Sequence, residues 1–209
     1  MLYRNICLIG LPYSGKTQIG KRLYKHLNKG FIDTDDIIIS KYKMNLSNII
    51  SKYGNQKYLE IEQDVIHSLT CKNTVISTGG SVIYEADSMK YLKNELNSDI
   101  YHLFLSKKEF NKRVTNLDKR GVIINKGQTI ENLYNERIDL YDKYSDKTLS
   151  ACRDINLDIF KHELYTSKTS KTSKTSKTSN YIDNYYWNPK SPGLVLPKME
   201  LNSRPAPPL

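Results

Sequence analysis

The chain has 209 residues, 38% apolar and 26% charged, with a mean hydropathy of −0.58. No apolar run approaches the roughly 20 residues a bilayer-spanning helix needs. The short run Ile6-Cys7-Leu8-Ile9, soon followed by Pro12 and Lys16, is not the apolar core of an export signal, so a cytoplasmic protein with no membrane partner is expected. Of 32 basic and 22 acidic residues, 8 and 3 fall after Phe160, so half of the net charge of +10 lies in that stretch. With no helix-turn-helix, zinc or RNP-like signal beside it, the charge does not argue for a nucleic-acid partner. Cys7, Cys71 and Cys152 are widely spaced with no C-x-x-C, which excludes a disulfide scaffold and a zinc ribbon.

In chain order, Asn5–Ile9 reads as a short apolar strand and Lys16–Leu27 as a helix with Ile19, Leu23 and Leu27 on one face. A second strand is expected at 31–32, helices at 37–53 and 58–69, and a strand at 74–77. A helix over 87–96, a strand over 99–105, helices over 107–117 and 130–144 and a last strand over 154–159 follow. This alternation predicts an α/β fold in three layers, a parallel sheet of five strands covered on both faces. Residues 1–160 form that domain. Residues 161–209 are expected to be a disordered tail: residues 166–179 repeat Thr-Ser-Lys with nothing apolar to bury, and five prolines follow from Pro192 on.

The strongest chemical signal is Gly10-Leu11-Pro12-Tyr13-Ser14-Gly15-Lys16-Thr17, a G-x-x-x-x-G-K-[ST] phosphate loop between a strand and a helix. Gly10 and Gly15 permit the backbone angles that aim amide N–H groups at phosphate oxygens, and the helix N-terminus adds positive potential. Lys16 supplies a point charge for the β- and γ-phosphates of ATP, and Thr17 offers a hydroxyl to Mg²⁺. Asp33 and Asp35 follow the second strand, where ligands of open α/β sheets gather. One suits the Mg²⁺ shell and the other a hydroxyl to be deprotonated, while Thr34 or Asp35 can also cap the next helix. Gly79 and Gly80 follow the third strand and allow close backbone approach to a ligand. Arg113, Arg120 and Arg137 bring planar guanidinium groups suited to phosphate and carboxylate oxygens.

Taken together these motifs resemble the shikimate kinase family, small P-loop kinases of the nucleoside-monophosphate-kinase type, over about the first 160 residues. The resemblance implies a five-stranded parallel sheet, a substrate-binding region at about 33–62 and a lid at about 114–127. It implies ATP as co-substrate, held by residues 10–17, with Arg113 against the adenine and Arg120 closing over the phosphates. Thr17, and Asp33 through water, would hold Mg²⁺. Asp35 would bind the ring hydroxyls of shikimate and activate the 3-hydroxyl; Gly79, Gly80 and Arg137 would complete its site, Arg137 on the carboxylate. Lys16, Asp35 and Arg120 would be the catalytic set, in a monomer of the aromatic amino acid pathway. The sequence departs from the family's G-E-x-x-F-R-x-x-E at Gly54-Asn55-Gln56-Lys57-Tyr58-Leu59-Glu60-Ile61-Glu62, with Leu59 in the arginine position. Ser81 replaces a third glycine and Gly121 a proline after the lid arginine. Leu59 is the feature that would suit another small hydroxy acid as acceptor, or a nucleotide-binding relative without activity.

Overall fold

The computed structural model describes residues 4–114, 121–151 and 155–160. A five-stranded, all-parallel sheet runs in the order β2-β3-β1-β4-β5, with β1 (Asn5–Ile9), β2 (Gly30–Asp33), β3 (Thr74–Ser77), β4 (Ser98–Phe104) and β5 (Lys147–Ser150). Every residue of β1 is buried, as a central strand covered on both faces requires. It pairs with β3 from Ile6↔Val75 to Leu8↔Ser77 and with β4 from Asn5↔Ser98 to Ile9↔His102. The crevice beside the carboxyl end of β1 is therefore flanked by the ends of β3 and β4.

Six α-helices are described: α1 (Lys16–Leu27), α2 (Thr34–Tyr42), α3 (Leu46–Ser68), α4 (Ala86–Lys90), α5 (Lys107–Arg113) and α6 (Ile130–Tyr144). A 3₁₀ turn at Val82–Tyr84 precedes α4 and a π-type turn at Tyr91–Glu95 follows it. The main core gathers both faces of the sheet. A smaller apolar cluster of Ile38, Leu46, Ile49, Tyr58, Ile61, Val65 and Ile123 ties α2 and α3 to the segment before α6.

Four expectations are corrected. The last strand is Lys147–Ser150, pairing Tyr101↔Lys147 to Phe104↔Ser150, and not 154–159. There Ile155 and Phe160 are buried side chains on either side of a turn at 157–158, and the Phe160 ring lies 4.6 Å from that of Tyr101. The expected helix at 37–53 is two helices, parted at Lys43, whose φ of 53° is left-handed. The one expected at 58–69 continues from the second of these through a kink at Gly54, φ 82° and ψ 168°. Finally, α2 is capped by Asp33, whose carboxylate accepts from the Asp35 amide at 3.1 Å, and begins at Thr34. The expected tail, 161–209, lies outside the described residues.

Candidate active site

The phosphate loop is shaped by its glycines. At Gly10 φ is +150°, and a Cβ there would lie 2.7 Å from the Leu103 carbonyl oxygen, so a side chain would push the loop off β4. Gly15 caps α1 at φ 85° with no side-chain hydrogen bond, and the first turn carries no acidic residue. The first-turn amides are thus left for an anion, where the helix dipole favours one. Lys16 is buried to 9% exposure, its ammonium donating to the carbonyls of Gly10 at 2.7 Å and Leu11 at 3.0 Å. The Leu11 side chain enters the core, so only its backbone serves the loop. Pro12, Tyr13, Ser14, Gly15, Lys16 and Thr17 all line a cleft of about 750 Å³.

Across the cleft, Thr17 Oγ1 donates to Asp33 Oδ2 at 2.7 Å. Asp33 thus both caps α2 and meets the hydroxyl of the phosphate-loop threonine. Asp35, two residues further, lines the cleft with Oδ1 turned toward Gly79: a Cβ built there would stand 3.0 Å from it. The Gly79 amide donates to Thr34 Oγ1 at 3.1 Å, which locks the turn after β3 to the head of α2. Ser81 has ordinary right-handed angles, φ −99° and ψ −8°, so a side chain there is accommodated.

Arg137 is 1% exposed on α6 and lines the cleft. Its Nε donates to Tyr84 OH at 3.1 Å, one terminal nitrogen to the Gly80 carbonyl at 3.3 Å and the other to the Ile123 carbonyl at 2.9 Å. The guanidinium borders the cleft, where its planar fork suits a carboxylate. The Tyr84 ring lies under the guanidinium at 5.2 Å, and Tyr141 OH donates to the same Gly80 carbonyl at 2.6 Å. Asn55 Nδ2 holds the next carbonyl, that of Ile124, at 3.0 Å. Gly121 packs against α3: a Cβ there would meet Leu46 Cβ at 2.6 Å. Arg113 lies at the far rim, donating from Nε to Glu109 at 2.9 Å and from a terminal nitrogen to the Tyr13 carbonyl at 3.3 Å. Arg120 lies outside the described residues.

The structure therefore brings Lys16, Thr17, Asp35, Gly80, Arg113 and Arg137 around one cleft, with Asp33 and Gly79 directly behind. Sequence reasoning missed Tyr84, Tyr141 and Ile123, and gave Glu62 no role. Tyr141 was legible, standing four residues after Arg137 on the same helical face. Glu62 is 1% exposed and its pKa is pushed up to about 8, first by burial and then by the Asp35 charge. Leu59 sits half-buried against the smaller apolar cluster. Lys57 does not replace the missing arginine, because its exposed ammonium pairs with Glu60 at 2.8 Å.

A family model for shikimate kinase matches residues 12–168. A shikimate kinase of Caldicellulosiruptor bescii is 35% identical over 168 residues, covering 79% of this chain and 92% of the relative. One of Thermodesulfovibrio yellowstonii is 34% identical over 143 residues, covering 67% and 82%. Among solved structures, a shikimate kinase from Acinetobacter baumannii in complex with shikimate superposes with a TM-score of 0.66 at 26% identity, over 77% of this chain and 90% of that one.

Proposed function

The chain belongs to the shikimate kinase family, kinases that pass the γ-phosphoryl group of ATP to the 3-hydroxyl of shikimate, and from that premise we propose the part each residue of the cleft plays. The observation that carries the assignment is a single cleft joining the phosphate loop, the Asp35 carboxyl and the Arg137 guanidinium. Lys16 and the loop amides bind the phosphates of ATP. Asp35 accepts the hydrogen of the shikimate 3-hydroxyl and takes its proton as that oxygen attacks. Arg137 grips the shikimate carboxylate and so fixes which hydroxyl faces Asp35. Gly79 and Gly80 let the ring approach the backbone. Arg113 flanks the adenine, and Arg120 closes over the phosphates as the attack proceeds, with 33–62 as the substrate-binding region, 114–127 as the lid and 161–209 as an appended tail.

Thr17 and Asp33 fit Mg²⁺ in the manner of phosphate-loop kinases, where nucleotide oxygens and water complete the shell around few protein ligands. The hydroxyl–carboxylate contact of 2.7 Å puts both donors at one place beside the loop. Among the described residues no group of three or more His, Cys, Asp or Glu side chains forms a metal cage. Bound there, Mg²⁺ would neutralise charge building on the phosphate oxygens. The described lining of the cleft comes from one chain, which supports a monomer. The proposed enzyme works on small molecules in the cytoplasm; no described helix is long and apolar enough to cross a membrane.

The full chain with MgATP is expected to release ADP in proportion to added shikimate. ATP binding with no shikimate-dependent turnover at millimolar acceptor would overturn the assignment of the acceptor. In the same assay Leu59→Arg is expected to lower the KM for shikimate by about 10- to 100-fold, the worth of one added charge-assisted contact of about 1.5–3 kcal/mol. An unchanged KM would mean that Arg137 already supplies all the grip the carboxylate receives.

A further inference from the structure

We propose that Glu62 is a positioning residue that holds a proton of its own beside Asp35, so that Asp35 is the one carboxylate anion facing the acceptor hydroxyl. This rests on the assignment of Asp35 given above. A Cβ built on Gly79 would stand 2.0 Å from Glu62 Oε1 and 3.0 Å from Asp35 Oδ1, so those two oxygens lie no more than 5 Å apart, in the space a side chain at residue 79 would fill. Glu62 is walled off from solvent, and beyond the Ser81 hydroxyl neither of its carboxyl oxygens has a hydrogen-bonding partner among the described residues. Position 59, one turn before it on α3, would naturally bring a cation to it, and that position is Leu59. A carboxyl group buried next to another carboxylate, without its own cation, keeps its proton.

The groups that face Glu62 come from every side. Asp35 of α2 and burial favour the proton; Arg137 of α6, Lys16 of α1 and the Ser81 hydroxyl oppose it. Tyr58 on its own helix and Tyr141 on α6 are held neutral by burial and contribute no charge. The balance leaves Glu62 protonated at neutral pH and ionised as the pH rises through about 8. Ionised, it has given its proton to solvent and sets a second negative charge beside Asp35, which repels an acidic acceptor.

The test is the pH profile of kcat/KM for shikimate in the full chain. The native protein is expected to lose about tenfold between pH 7 and pH 9, as one ionisation near 8 demands. In Glu62→Gln, which cannot ionise, the ratio between those two pH values is expected to stay within about twofold, whatever the absolute rate. Leu59→Arg, which supplies the missing cation, is expected to flatten the profile as well. A native profile flat to pH 9, or an alkaline loss that survives in Glu62→Gln, overturns the proposal. Infrared titration of the native protein gives a second reading. A protonated-carboxyl band should vanish between pH 7 and pH 9 and be missing from Glu62→Gln, and absence of that band at pH 7 sinks the idea. Should shikimate drive no turnover at any pH, the acceptor assignment fails, and the infrared titration still decides where the proton sits.

Discussion

Lys16→Ala is expected to lower kcat by on the order of 10³-fold with the fold intact, read as shikimate-saturated ADP release beside an unchanged circular dichroism spectrum. Removing one preorganised donor from a developing oxyanion typically costs 10²–10³-fold, and Lys16 adds a full charge to that role. Its ammonium is already held at the mouth of the loop by two backbone carbonyls, so little reorganisation separates it from the phosphates. These neutral acceptors are weaker partners than phosphate, which makes the exchange favourable when ATP arrives. Lys16→Arg is expected to restore little, because a planar guanidinium does not reproduce the compact point charge that the loop encloses. A turnover within a few-fold of the native chain would remove Lys16 from the mechanism.

Asp35→Asn is expected to lower kcat by about 10²–10⁴-fold while the KM for ATP stays within about twofold. Asparagine keeps the size of the side chain and can still accept a hydrogen bond, but it cannot take up the acceptor's proton at neutral pH. The phosphate loop is built from β1 and α1 and does not depend on Asp35, so nucleotide affinity should be spared. The cap on α2 is made by the Asp33 carboxylate and the backbone amide of residue 35, which the substitution also leaves in place. A loss seen only in the KM for shikimate would make Asp35 a binding group and leave the proton to water.

What the sequence disclosed followed from how local each signal was. The bounds of β1 and α1 and the phosphate loop between them are fixed by residues within one stretch: an unbroken apolar strand, two glycines, and apolar side chains at helical spacing. The last strand was misplaced because β5 is an edge strand. Lys147-Thr148-Leu149-Ser150 is mostly exposed and carries one apolar residue, whereas Ile155 and Leu157 alternate as a strand does and pack on the core from a turn. The break between α2 and α3 lacks glycine and proline and rests on one left-handed lysine, which no pattern announces. The same holds for the site. Asp33, Asp35 and the glycine pair follow strands and could be read. Glu62 could not be given a role, because a glutamate between Ile61 and Val65 on a long helix becomes buried only through the packing of α3 on the turn after β3.

Arg137 spends its hydrogen bonds on the oxygens of Tyr84, Gly80 and Ile123, all of them neutral. With Glu62 protonated, the folded chain therefore carries a buried cation that no anion among the described residues contacts, at an energetic cost that a ligand bearing a carboxylate relieves. An acid that binds the folded chain and not the unfolded one raises the melting temperature with its concentration. In a cell, the quantity of intact enzyme would then follow the supply of its own acceptor. A chain starved of substrate would unfold and be degraded sooner than one at work.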